Sequence, residues 1–143
     1  MRTYTDIEVR YAETDQMGVV HHAVYPIWFE TARTDYSAKL GMTYHKMEEM
    51  GVFLPVSQLE LHYLGFAKYG ETVRVETRAV RLTPARVVFC YRIFAPNSDK
   101  VITTGKSTHA WVGKDMRPMN LRKHFPEIYQ LIEEALEPEE ENR

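Results

Sequence analysis

The sequence predicts an α+β fold in which one long apolar helix packs on an antiparallel sheet. Three observations carry that prediction. Residues 26–40 hold an extended apolar stripe at helical spacing. Four strand-like runs follow it, each closed by glycine, proline or a turn cluster, and one more precedes it. A helix with one apolar stripe must bury it, and hairpin-linked strands offer a sheet face for it.

The first run, 3–12, alternates loosely and reads as a strand with Ile7, Val9 and Tyr11 on one face. Over 26–40, Tyr25, Trp28, Phe29, Ala32, Tyr36 and Leu40 recur at helical intervals and mark core packing. Pro26 suits the first turn, and Gly41 suits the position just past the last. Glu30 and Arg33, three apart, can pair on the helix surface. A short helix over 43–49 comes next. Strands are then expected at 53–63, 72–82, 86–95 and 101–112, separated by Gly65 and Gly70, by Pro84, and by Pro96-Asn97-Ser98-Asp99. In the second of these, Val73, Val75, Thr77 and Ala79 alternate with Arg74, Glu76 and Arg78, so one face should be apolar and the other polar. A final helix over 121–136 rests on Leu121, Phe125, Tyr129 (or Ile128), Ile132 and Leu136.

Length and composition bound the function. At 143 residues, with 44% apolar and 27% charged residues, the chain reads as a single domain, 1–143, with an acidic tail at 137–143 expected to be solvated and frayed. A formal net charge of −2 gives no general attraction to nucleic acid or to an anionic membrane. The charged N-terminal segment is neither a signal peptide nor a membrane span, so a cytoplasmic protein is expected. The lone Cys90 sits in an apolar run and reads as a buried small residue.

Residues 11–22, Tyr-Ala-Glu-Thr-Asp-Gln-Met-Gly-Val-Val-His-His, concentrate the chemistry. A strand ends near a carboxylate, Asp15; a glycine turn follows at Gly18; a helix opens near His22. The segment can place an acidic oxygen beside the free N–H groups of a helix start, which is what hydrolysis of an activated acyl group needs. Taken alone, Asp15 before a glycine turn also fits an Asx-turn or a cap. His22 can act through its imidazole or only through its main chain. Adjacent His21 and His22 point in different directions and lack metal-ligand spacing, so no metal is expected. Tyr11 is most simply a core aromatic whose hydroxyl can reach Asp15.

With Tyr11-Ala-Glu-Thr-Asp15, Gly18-Val-Val-His-His22-Ala and Phe29-Glu-Thr-Ala-Arg33 in this order, the chain resembles the hotdog-fold acyl-CoA thioesterases, close to the 4-hydroxybenzoyl-CoA thioesterases and their tol-pal-associated relatives. The resemblance spans roughly residues 5–115. It implies a five-stranded antiparallel sheet wrapped around a long central helix, with a C-terminal helix. It implies that Asp15 is the catalytic carboxylate, that the His22 backbone N–H polarises the thioester carbonyl, and that the side chains of Tyr11 and His22 take part. His21 stands where these relatives have tyrosine, which bears on substrate preference. The implied substrate is an acyl-CoA, with no cofactor beyond the coenzyme A of the substrate, and the implied assembly is a homodimer or homotetramer with sites at the subunit interface. Candidate partners for the CoA phosphates are Arg81, Arg86, Lys68 and Arg117, with Arg122 behind them. Two other readings are a non-catalytic acyl-CoA sensor or carrier, and a hotdog-fold hydratase or dehydratase.

Overall fold

The computed structural model describes residues 1–140. Its centre is α1 (Tyr25–Leu40), which lies across one face of a five-stranded antiparallel sheet. The strands are β1 (Thr3–Glu8), β2 (Val56–Tyr63), β3 (Thr72–Leu82), β4 (Arg86–Phe94) and β5 (Val101–Ala110), in the order β1-β3-β4-β5-β2. Two short helices complete it, α2 (Tyr44–Met50) and α3 (Leu121–His124), with α4 (Pro126–Ala135) after them.

Helix α1 forms where its stripe predicts. Trp28, Phe29, Ala32 and Tyr36 are buried, and Gly41 takes the left-handed conformation (φ 99°) that ends the helix. Phe29 stacks on Tyr91 of β4 at 4.2 Å. Gly105 of β5 makes this approach possible, because a Cβ there would lie 2.3 Å from the Phe29 ring. Thr43 caps α2, accepting a hydrogen bond from the Lys46 N–H.

Four differences from the expected elements have physical causes. Strand β1 stops at Glu8, and Tyr11–Glu13 form a 3-10 turn, so Tyr11 is not in the core but exposed. The expected C-terminal helix is two helices: Pro126 has no N–H to donate, and Phe125 before it leaves helical geometry (φ −137°, ψ 64°). Arg33 does not pair with Glu30. It is buried and donates to Tyr91 Oη at 3.2 Å, while Glu30 stays exposed. The polar face of β3 is not open to solvent in its middle: Glu76 and Arg78 are 2% and 1% exposed.

What covers them is the start of the acidic tail. Beyond Thr3, which pairs with Thr77, the edge of β3 has no strand beside it. The tail takes that place, the Glu137 N–H donating to Ala79 O, and then crosses to the outer face of the sheet. There Arg78 donates to Pro138 O, Glu139 meets Lys106 and Arg81, and Glu137 and Glu140 meet Arg2. Arg92 holds Glu76 with two hydrogen bonds, at 2.9 and 3.0 Å. Residues 137–140 are therefore tied down; the rest of the tail lies outside the described residues.

The inner face is incompletely covered at the β2 edge. Leu59 and Tyr63 share the face of Ser107 and Thr103 across the β2–β5 ladder, yet they are 41% and 48% exposed; Tyr25 at the start of α1 meets only one side of the Tyr63 ring.

Candidate active site

The candidate site is built where β1 gives way to α1. After β1, Val9 pairs with the loop before β3 through Val9 N–H to Glu71 O and Gly70 N–H to Val9 O. The chain then folds into a small hairpin over 13–21. Its rungs are His21 N–H to Glu13 O, the Thr14–Val20 bridge, and Asp15 N–H to Val19 O. Gly18, at φ 81°, allows the tight return, its N–H donating to Asp15 O at 3.0 Å. Val20 N–H donates to Ala67 O, fastening the hairpin to the segment after β2.

Asp15 sits at the tip of this hairpin, half-buried. Its Oδ1 accepts the Met17 N–H at 2.8 Å, an Asx-turn, and Oδ2 has no hydrogen-bond partner among the described residues. The capping reading thus accounts for one oxygen and leaves the other available. Helix α1 begins at Tyr25, not at His22. His21 O accepts the Val24 N–H, and this turn separates His22 from the first helical residue. The His22 N–H donates to nothing among the described residues, and its C=O accepts from Tyr63 Oη at 2.8 Å. Val24, at the N-cap, offers no side-chain acceptor; Pro26 has no N–H, and the Ile27 and Trp28 N–H groups donate to Val24 O, so among the described residues the Tyr25 N–H is left unmet at the positive end of the helix dipole.

Around these groups lies a set of rings. The His21 and His22 rings do not diverge as expected but lie 4.2 Å apart, tilted by 30°; Tyr25 meets Trp28 edge-on at 5.0 Å and Tyr63 at 5.5 Å, and Tyr11 meets Tyr69 at 5.6 Å. The His22 imidazole is exposed. The Tyr11 hydroxyl does not bond Asp15; its ring is 76% exposed. Burial raises the pKa of Tyr25 and of Tyr63, so both phenols stay neutral donors.

One acidic group here was not singled out from the sequence. Glu13 is 6% exposed. Its Oε1 accepts the Arg10 N–H at 2.8 Å and its Oε2 accepts Trp28 Nε1–H at 2.9 Å. Burial pushes this carboxyl upward, but the hydrogen bonds from Arg10 and Trp28 outweigh it and hold the carboxyl below its usual range. The signal available in advance was Trp28, a core indole whose N–H needs an acceptor.

The four basic candidates are not gathered in one chain. Lys68 follows Ala67 and stands beside the hairpin. Arg81 and Arg86 flank the β3–β4 turn at the other end of strands that span about 30 Å. Arg117 lies in the loop that packs under Gly113, near that same far end, and Arg122 stacks over Tyr129 at 5.6 Å. Among the described residues no three His, Cys, Asp or Glu side chains are grouped as metal ligands. No described helix is long and apolar enough to cross a membrane.

Comparison with known proteins places these features in a family. The profile of the thioesterase-like superfamily matches residues 9–136. The Bacillus subtilis (strain 168) protein named "Putative acyl-CoA thioesterase YneP" is 40% identical over 131 residues, covering 91% of this chain and 94% of that protein. The DHNA-CoA thioesterase of Staphylococcus aureus superimposes with a TM-score of 0.88 at 37% identity, over 93% of this chain and 89% of that one. The Thermus thermophilus protein TT1821 gives 0.86 at 36% identity, over 94% and 98%. The chain belongs to the thioesterase-like superfamily: it is a thioester hydrolase with the hotdog fold.

Proposed function

We propose that the protein hydrolyses an acyl-CoA thioester to a carboxylic acid and free CoA at the Asp15 hairpin. The observation that carries this is an Asp15 Oδ2 at the hairpin tip and a His22 N–H just past the hairpin's base, both without a hydrogen-bond partner among the described residues. The thioester carbonyl is polarised by the His22 N–H, with the α1 dipole behind it. Such a donor contributes on the order of 10²–10³-fold in rate. Asp15 takes a proton from water as the water oxygen attacks the carbonyl carbon; collapse of the tetrahedral intermediate breaks the C–S bond, and the proton leaves with the CoA thiolate. Alternatively the carboxylate itself attacks the carbonyl carbon and the C–S bond breaks, releasing the CoA thiolate and leaving a mixed anhydride that water then opens to the carboxylic acid and free Asp15. No metal or redox group enters either route. Tyr11 and the His22 imidazole stand exposed beside the reacting groups, and the nearness of Lys68 to the hairpin supports it as the basic partner of a CoA phosphate.

The exposed inner face at β2, continued by Leu64, Phe66 and Tyr69 at 55%, 72% and 63% exposure, supports a homodimer or homotetramer in which a second copy closes the site. A partner subunit is also what would bring Arg81, Arg86 or Arg117 toward the bound CoA.

The test is Asp15→Asn, assayed by free-thiol release from a panel of acyl-CoAs. Turnover should fall at least about 10²-fold. Melting temperature should hardly change, because Asn keeps the Asx-turn. Near-normal turnover in a folded Asp15→Asn protein sinks the reading. Tight acyl-CoA binding without release by the native protein would indicate a sensor instead.

A further inference from the structure

We infer that Glu13 is a positioning residue whose buried carboxylate sets Asp15 and the His22 N–H in place relative to α1; this rests on the proposed role of Asp15.

Burying a carboxylate is costly unless its oxygens are met. Glu13 is met by N–H groups from two separate elements. Oε1 takes Arg10 N–H at the start of the 3-10 turn, and Oε2 takes Trp28 Nε1–H on α1, fifteen residues away. The Arg10 guanidinium, 3.5 Å from Oε1 but 74% exposed, adds little. A residue that only capped the 3-10 turn would need Oε1 alone. The use of Oε2 on the core indole ties the turn to the helix, and charge makes that hydrogen bond stronger than a neutral one.

The main chain of the same residue does the rest. Glu13 O accepts the His21 N–H, the rung at the open end of the hairpin. Asp15 follows two residues after Glu13, and His22 directly follows His21. A displacement of Glu13 therefore moves the attacking group and the carbonyl donor together, away from α1. Catalytic groups displaced by about 1 Å can lose about 10²-fold in rate, so the tether bears on turnover and not only on folding.

Three variants and one control test this: Glu13→Gln, Trp28→Phe, the double variant, and Asp15→Asn. In Glu13→Gln the amide NH2 must face either Arg10 N–H or Trp28 N–H, donor against donor. We expect kcat per folded molecule to fall about 10-fold or more, through misplacement of the reacting groups. KM for the acyl-CoA should stay within about 2-fold, because the substrate does not touch Glu13. Trp28→Phe removes the same hydrogen bond from the other side and should also lower kcat. The double variant should be no slower than Glu13→Gln, since the opposing indole N–H is gone and the two losses are one interaction. Unchanged kcat in folded Glu13→Gln, or losses that multiply in the double variant, overturns the inference. If Glu13→Gln does not fold, unchanged kcat in Trp28→Phe overturns it as well. Asp15→Asn separates the two claims: full turnover there removes the Asp15 reading, whereas loss there with normal Glu13→Gln removes only the role of Glu13.

Discussion

The two halves of α1 treat polar groups in opposite ways. At its N-terminal end, the His22 N–H and one oxygen of Asp15 have no partner among the described residues, and the rings of Tyr11, Tyr63 and Tyr69 are exposed while those of Tyr25 and Trp28 are buried. In its C-terminal half, polar groups are locked into a dry chain that runs from helix to sheet. Arg33 Nη1 donates to Tyr91 Oη, Tyr91 is bonded to Ser107 Oγ at 2.6 Å, Ser107 to His109 Nε2 at 2.8 Å, and His109 Nδ1 to Leu54 O at 2.9 Å. The direction of every bond follows. Leu54 O only accepts, so Nδ1 carries the proton; Nε2 then accepts from Ser107, which accepts from Tyr91. The lesson is one of allocation: a buried hydrogen-bonded chain fixes the helix on the sheet at one half, where the atoms left unbonded (Arg33 Nε, Tyr36 Oη and Tyr44 Oη) are shut away from solvent, whereas the unmet groups at the other half are free to meet a substrate.

The strongest challenge to the locked half is acid. Burial, with the Arg33 charge beside it, pushes His109 down to about 4 from its ordinary 6.5. The unfolded chain takes up a proton near 6.5 and the folded one near 4. Stability therefore falls as pH drops between these values and levels off below them, by about 3 kcal/mol for a fully neutral buried imidazole. Urea unfolding at pH 7 and at pH 4.5 should show this fall, and His109→Gln should remove that part of it.

A second test concerns the packing between the two halves. Gly105→Ala forces a methyl into the Phe29 ring, so Phe29 must leave its stack on Tyr91. The expected loss is about 1–3 kcal/mol, read as a lower melting temperature. No change would mean that the ring has another resting place.

At the open end, Tyr63→Phe deletes the hydroxyl that holds His22 O. A single hydrogen bond of about 1 kcal/mol is at stake, so kcat should fall a few-fold with melting temperature nearly constant. A stability loss without a rate loss would assign this bond to the locked half. The smallest effect is expected on the outer face. Glu139→Gln breaks exposed ion pairs to Lys106 and Arg81, worth at most about 1 kcal/mol and less in high salt. Chemical denaturation at low and high salt measures it.

Much of the fold was legible because its signals are local. The α1 stripe, the Gly41 stop and the alternation of β3 each sit in a few consecutive residues, and they matched the structure. The spacing of the 11–22 segment singled out Asp15 and His22 as candidates, and they lie at the tip of the hairpin and just past its base. What was not legible depends on residues far apart in the chain. Arg33 read as a surface partner of Glu30 because only neighbours on the helix were visible; its partner, Tyr91, is 58 residues away. Tyr11 read as core because period two was carried past Glu8, where the chain turns. Glu76 and Arg78 read only as a polar face, and their burial was not visible because the segment that covers them comes 60 residues later. Glu13 carries no periodic signal of its own and becomes visible only with Trp28 beside it.

Cys90 lies on the outer face of β4, between Arg78 and Lys106 in the ladder, beneath the part of the tail that those two residues hold. It is buried, and burial raises its pKa, so little thiolate is present at neutral pH. It is also the sole cysteine in the chain. A colorimetric thiol reagent added to the folded enzyme therefore reads the CoA released by turnover, with almost no background from the protein. The same reagent without substrate becomes a gauge of the tail: slow labelling of Cys90 counts the moments at which residues 137–140 lift from the sheet.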